Sequence, residues 1–451
     1  MINELRVAQE LSAVDLFAGP GGLSEGFWQA GFEIVSSVEM DKWAVETLRT
    51  RHIYRMLLKE GKEEEYFKYL RGEVERDTLL NNHVRDTLES MVIKEKLSPA
   101  SRSDVLKRIE SQIKRMGFTE IDVLLGGPPC ELYSLIGRAK YASRREKYFQ
   151  DERLGLYEEY VFFLQKLQPK MFVFENVLGI LSSVLKDGRS VINSIIEAIS
   201  QAGYRIFSSL RGDDARGYVL DSVYFGVPQR RRRVILVGYR KDLSIRDTFY
   251  HELDMDAGKH FYTVWDAIAD LPPLDHGQGN DRWYGPYDRE PHSEYAMQMR
   301  EGSPGVLNHR ARHHMQTDRE RYRYFIERSA RGEKADLSTL RCEAPELLPK
   351  HKNLETFTDR YRVQSWDKPS CTITSHLSKD GNYYIHPDIA QCRSFTVREA
   401  ARCQSFPDNY LFEGPRTAQF KQVGSAVPPI LARYIGKTIK KILKNSQGKK
   451  T

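Results

Sequence analysis

The sequence predicts an α/β fold with a second, smaller and loop-rich domain. Three observations carry that prediction. Short apolar runs alternate with amphipathic stretches up to residue 238, polar and aperiodic sequence fills 239–385, and helical periodicity returns after 386. The runs are continuous and rich in Val, Ile, Leu and Phe, as strands of a parallel sheet buried on both faces require. At 451 residues, 40% hydrophobic and 29% charged, the chain has material for a large core and lacks the bias of a disordered one.

In chain order, strands are expected at 13–17, 34–39, 122–125, 171–175, 204–210 and 233–238. Between the second and third lies a long charged segment, 51–120, whose pieces YFKYLRGEVERDTLL and SDVLKRIESQIKRMG read as surface helices, so a helical insertion is expected there. The stretch DLPPLDHGQGNDRWYGPYDREPHSEY has no clean period and reads as loop. In ILARYIGKTIKKIL, residues Leu431, Tyr434, Ile435, Ile439 and Ile442 share one helical face, and Pro428-Pro429 suits a helix start. The expected division is a core at 1–238, a variable module at 239–385, and a return to the core at 386–451. No run approaches the ~18 apolar residues of a membrane span, and the start lacks signal-peptide features, so a cytoplasmic location is expected. Five cysteines without CxxC or finger spacing argue against a disulfide framework and a structural zinc. A net charge of +7 permits a polyanionic partner.

DLFAGPGG (15–22) follows the first strand and opens a helix-like stretch, a setting in which glycines permit a tight turn and close ligand approach. Glu39 ends the next strand, where an acid commonly meets ribose hydroxyls. Ser24 occupies the third glycine position of a dinucleotide fingerprint, so a nucleoside without pyrophosphate fits better than NAD. S-adenosylmethionine is such a ligand: Phe17 and Met40 offer an apolar wall, Glu39 the ribose acid, and the loop glycines backbone N–H groups. The bland alternative is a structural turn.

GGPPC follows the strand IDVLL, and Cys130 there is either a small buried hydrophobe or, with basic residues following, a nucleophile. Glu175 ends the strand MFVFEN, where burial raises a carboxyl pKa and lets it act as a proton donor; the bland reading is a capping carboxylate. In QRRRR, alternation sets Arg231 and Arg233 on one face, able to clamp an anion, although such runs are usually solvated.

DLFAGPGG, VEMDKWA, GGPPC, ENV, QRRRR, REAARCQSFPD and QVGSAVPP stand in the order found in DNA (cytosine-5)-methyltransferases, and the chain resembles that family across its α/β core and C-terminal return. The resemblance implies a Rossmann-like class I methyltransferase domain, a target-recognition domain between QRRRR and REAAR, and double-stranded DNA as partner. No metal is required, and a monomer acting at the nucleoid is expected, its setting restriction–modification, phage defence or regulation. Cys130 matches the nucleophile, Glu175 the cytosine-binding acid, and Arg231 and Arg233 the paired arginines near the flipped base. Phe17, Gly19, Pro20, Gly21, Gly22, Glu39, Met40, Asp86, Pro128, Leu156, Ser425 and Ala426 match cofactor contacts. Glu131, Ser134 and Gln229 fall on the DNA side, and Arg398 and Gln404 match bracing positions. Two departures stand out: Glu131 where the family usually has Gln, and Ser425 where it usually has Asn. An arginine-rich piece, six arginines and three acids from Arg310 to Arg328, either faces DNA or forms a solvated helix. The rival readings are a tRNA cytosine-5 methyltransferase and a catalytically silent DNA-binding protein.

Overall fold

The computed structural model describes residues 11–79, 82–129, 132–133, 146, 151–212, 214–258, 260–350 and 358–447, with the side chains of 82–86, 152 and 447 left aside. Cys130, Glu131 and Ser134, and the basic residues Arg138, Arg144 and Arg145 near them, lie outside the described residues, as does the side chain of Asp86.

Eight strands form one sheet in the order β3-β2-β1-β4-β5-β8-β6, with β7 pairing β8 off that path. β1 (Leu11–Leu16), β2 (Phe32–Glu39), β3 (Val92–Lys94), β4 (Val123–Gly126) and β5 (Met171–Val177) run parallel. β8 (Arg232–Arg240) pairs antiparallel with β5, with β6 (Tyr204–Ile206) and with β7 (Val219–Asp221). The period of two explains the layering. Val14, Leu16, Leu124, Phe172, Phe174, Val234 and Leu236 point into one core. Their alternates Ala13, Val123, Leu125, Met171, Val173, Ile235 and Val237 point into the other. Helices α5 (Arg102–Arg115), Leu156–Leu167 and Val191–Gln201 cover the first face, whereas α1 (Gly22–Gln29), Phe249–Asp256 and Pro429–Gln447 cover the second.

The closing helix Pro429–Gln447 lies against α1, and Leu431, Ile435, Ile439 and Ile442 are its buried stripe, with Tyr434 partly buried beside them. A third core gathers Val227, Ile268, Tyr295, Val306, Ile373, Phe395, Val397, Phe406, Phe420 and Val423, joining residues between 268 and 373 to the helix Val397–Cys403.

Three expectations need correction. The sheet is mixed, because β8 enters antiparallel. The 51–120 segment is not a purely helical insertion: α2 (Lys42–Lys59) runs through its start, and Val92–Lys94 is the sheet's edge strand, paired to β2 in register Ser37↔Val92. GNDRWYG, read as loop, is strand β9 (Gly279–Gly285), which pairs with β10 (Val306–Arg310). Its side chains alternate no more clearly than a loop's because the ribbon is a small two-stranded one with shifted register. Among the described residues no helix is long and apolar enough to cross a membrane. The four described cysteines are free, and no group of three or more His, Cys, Asp and Glu able to hold a metal occurs among the described residues.

Candidate active site

β1 and β4 are neighbours whose connections leave to opposite sides, the switch point where α/β sheets bind ligands beyond their strand ends. The glycine loop leaves β1 at that edge. Phe17 has φ 55°, a conformation that costs a side-chain-bearing residue about 1–2 kcal/mol. Gly19 and Gly21 follow at φ 55° and 91°, and a Cβ on Gly21 would come within 2.8 Å of Leu48. Tyr410 donates its hydroxyl hydrogen bond to the Pro20 carbonyl, fastening the loop from outside. Glu39 fastens it from within: its carboxylate accepts from Gly19 N at 2.8 Å, Met40 N at 2.8 Å and Asp41 N at 2.7 Å. Burial raises the Glu39 pKa, and the three N–H donors oppose that rise. Met40 stands beside it with 58% of its surface exposed. Ser425 closes the far side, its Oγ 3.9 Å from where a Gly19 Cβ would sit, and it donates to Gln422 O. Ala426 is buried below, and its carbonyl accepts from Gln404 Nε2. Leu156, partly buried, begins the helix Leu156–Leu167.

Two site residues escaped the sequence reading. Asp15, fully buried in β1, accepts from Ser24 Oγ at 2.5 Å, and its second oxygen Oδ1 has no partner. Burial pushes its pKa up to about 7, with the Ser24 hydrogen bond pulling the other way. The residue that breaks the dinucleotide pattern is therefore the hydrogen-bond donor to a buried acid. An Asp inside an otherwise apolar strand was the available signal.

At the neighbouring strand ends, Glu175 is 8% exposed and salt-bridged to Arg233, Nε to Oε1 at 2.8 Å. Desolvation raises its pKa against the lowering pull of Arg233 and then Arg231. Arg231 is wholly buried and donates to Ile373 O at 2.7 Å and Gly424 O at 3.1 Å. Gly127 has to be glycine here: a Cβ would lie 2.7 Å from Glu175 Oε2. Asn176 Nδ2 donates to Pro128 O at 3.2 Å. The segment leading to Cys130 thus runs directly beside Glu175. The antiparallel direction of β8 makes this possible, since it brings the start of β8, and its arginines, to the edge where β4 and β5 end. A parallel β8 would have left them at the opposite edge.

Gln229, expected at DNA, is instead fully buried. Its amide donates to Cys403 O at 3.2 Å and to Gln404 Oε1, while its oxygen accepts from Ile373 N at 2.8 Å. Both ends are satisfied inside the protein, so no group remains to meet a nucleic acid. In the arginine-rich piece, the helix Gln316–Ala330 buries Arg321, Tyr322, Phe325 and Ile326. Arg310, Arg319, Arg321 and Arg328 pair with Asp281, Asp275, Asp318 and Glu343.

Residues 11–72 and 98–441 match the family model of C-5 cytosine-specific DNA methylases. The chain belongs to that family. A C-5 cytosine-specific DNA methylase transfers a methyl group to carbon 5 of cytosine in DNA, and the family and fold imply a methyl-donor cofactor. The chain is similar to a type II methyltransferase of Bacillus paralicheniformis, at 40% identity over 95% of this chain and 98% of the relative. It is also similar to a type II methyltransferase of Desulfomicrobium norvegicum, at 28% identity over 95% and 88%. A crystal structure of a putative DNA modification methyltransferase encoded within an Escherichia coli prophage shares the methylase fold, with a TM-score of 0.62, 22% identity and coverage of 96% and 99%. The family match leaves out residues 73–97.

Proposed function

We propose that this methylase uses S-adenosylmethionine, flips its target cytosine out of duplex DNA, and attacks it through Cys130. The observation that carries the reading is the meeting of Gly127, Glu175 and Arg233 at one sheet edge, next to the glycine loop. The loop fits the donor: Glu39 offers a carboxylate to ribose hydroxyls, Met40 an exposed apolar surface to the adenine, and the positive-φ turn a place for the carboxylate. Pro128, Leu156, Ser425 and Ala426 complete the proposed lining. S-adenosylmethionine supplies an electrophilic methyl group. Carbon 5 of cytosine is a poor nucleophile until the Cys130 thiolate adds to carbon 6 and makes an enamine. Glu175, its pKa raised by burial, holds a proton at ring nitrogen 3 as charge develops there. Arg233 positions that carboxyl, and Arg231 braces the strand start beneath it. Loss of the carbon 5 proton then expels the thiolate.

The base has to leave the stack for this geometry, at roughly a few kcal/mol, which phosphate contacts offset. The proposed partner is double-stranded DNA read by the 239–385 module, in a restriction–modification setting like that of the type II relatives. A monomer in the cytoplasm is the simplest form consistent with this role. Tritium transfer from labelled S-adenosylmethionine to duplex DNA, single strands and tRNA in parallel tests the reading, together with covalent trapping by a 5-fluorocytosine duplex. Label entering tRNA alone, or trapping that survives Cys130→Ser, overturns it.

A further inference from the structure

On the outer edge of the sheet, away from the glycine loop, α2, α4 (Asn82–Met91) and α5 surround a cavity of about 300 Å³. Polar groups face it without partners. Gln112 is 1% exposed, and neither Nε2 nor Oε1 makes a hydrogen bond. His52 is 2% exposed with Nε2 unpaired. Arg55 keeps its Nε unpaired, although its terminal nitrogen holds Glu25 at 2.9 Å and Ser24 O at 3.3 Å. An unpaired buried polar group costs about 1–3 kcal/mol, so three side chains orphaned around one space call for an occupant.

We propose that this cavity is a second small-molecule site, for a nucleobase or its nucleoside. Gln112 presents a donor and an acceptor side by side, complementary to the adjacent acceptor and donor on a base edge, as a Gln amide pairs with adenine. Arg55 Nε–H adds one donor. Burial pushes His52 down to about 3, so it meets the ligand as a neutral ring able to give or take one hydrogen bond. Trp28, Met56 and Met116 supply flat and adaptable apolar walls of the kind that hold a ring. Thr87 and Met91 close one side from α4, within the 73–97 stretch that the family match leaves out. Arg115 of α5 fastens that side, donating to Thr87 O at 3.1 Å and Ser90 Oγ at 2.6 Å. The site therefore depends on a segment that the family match leaves out, and its lining residues are separate from the donor loop.

Differential scanning fluorimetry and calorimetry of the full chain, saturated with S-adenosylhomocysteine to fill the donor site, test this with adenine, adenosine, cytosine and cytidine as probes. At least one should bind and raise the melting temperature. Gln112→Met removes the paired amide while keeping shape, and should weaken that probe tenfold or more. Gln112→Met should also melt higher than the wild type without probe, since an orphaned amide is gone, which separates lost binding from lost folding. Glu39→Ala should leave the probe's affinity unchanged. If no probe binds at millimolar concentration, or if binding survives Gln112→Met, the cavity is a water-filled space and the proposal fails.

Discussion

Asp15 and Glu39 sit one strand apart around the glycine loop, and each sets a measurable property of it. A carboxyl whose folded pKa rises from 3.8 to about 7 binds its proton more tightly folded than unfolded. Its contribution is therefore intact at acid pH and declines as pH climbs from about 4 through 7. Asp15→Asn keeps an acceptor for Ser24 without the charge. It should match wild type in melting temperature near pH 3.5 and exceed it by several degrees at pH 8. Parallel curves across that range would exclude a buried charge at this position. Glu39→Ala removes the acceptor of three N–H groups as well as the proposed ribose contact. Calorimetry should show S-adenosylmethionine affinity falling by ~1.5–3 kcal/mol, with a modest stability loss beside it. Unchanged affinity would take Glu39 out of the donor site. At this scale the sequence was legible where strand position decides burial, as with Glu175, expected to be desolvated at its strand end and found 8% exposed with a raised pKa. It misled at Gln229, because an amide beside arginines looks the same whether its partners are bases or backbone. It read Ser24 only as the residue that breaks a dinucleotide pattern and gave Asp15 no role of its own, because their pairing across β1 and α1 exists only in three dimensions.

Elements were readable in proportion to their length and burial. β4, β5 and β8 carry unbroken apolar runs, and β1 and β2 shorter ones interrupted by polar residues; β3 is three residues long, and its pairing with β2 is visible only in three dimensions. Strand direction was not legible either, since Arg232–Arg240 carries no local mark of running antiparallel to β5. The seam between α1 and the closing helix offers a test of packing. A Cβ on Gly26 would meet Ala432 Cβ and Pro429 O, each at 2.4 Å, and neither can yield without parting the helices. Gly26→Ala should destabilise the protein by roughly 1–3 kcal/mol or more in urea unfolding, despite the better helix propensity of Ala. A stability gain would show that the two helices are not held so close.

For the whole molecule, buried arginines of 393–402 join that segment to residues 267–307. Arg402 is fully buried and grips Asp408 at 2.8 and 2.6 Å, Asp270 at 2.5 Å and Ala267 O at 3.1 Å. Arg398 donates to Leu307 O of β10 and to Tyr410 O, and Arg393 to Leu274 O and Glu399. Asp270, Leu274 and Leu307 belong to the proposed 239–385 module, and the arginines belong to REAARC and the turn before it. Arg402→Met removes the cation shared by Asp270 and Asp408, leaving Asp270 with Arg300 and Asp408 with only the more distant Arg398, and should cost about 3–5 kcal/mol in urea unfolding. A loss below 1 kcal/mol would mean that the module is held by its apolar contacts alone. The bracing role of Arg398 was readable from the resemblance, whereas the partner acids, scattered from Asp270 to Asp408, were not.

Gln29 ends α1 and Pro429 opens the helix that covers it, 400 residues later. At a ribosomal pace of ~5–20 residues per second, the apolar flank of α1, with Leu23 and Phe27, waits roughly 20–80 s for its cover. The glycine loop is synthesised long before it is completed, because Ser425, Ala426 and the closing helix follow it by some 400 residues. Throughout that interval the nascent chain exposes the apolar flank of α1. Methylation capacity then lags transcription by a delay written into chain order. Relocating 427–447 ahead of β1 by circular permutation should shorten that exposure and raise the soluble yield made without chaperones.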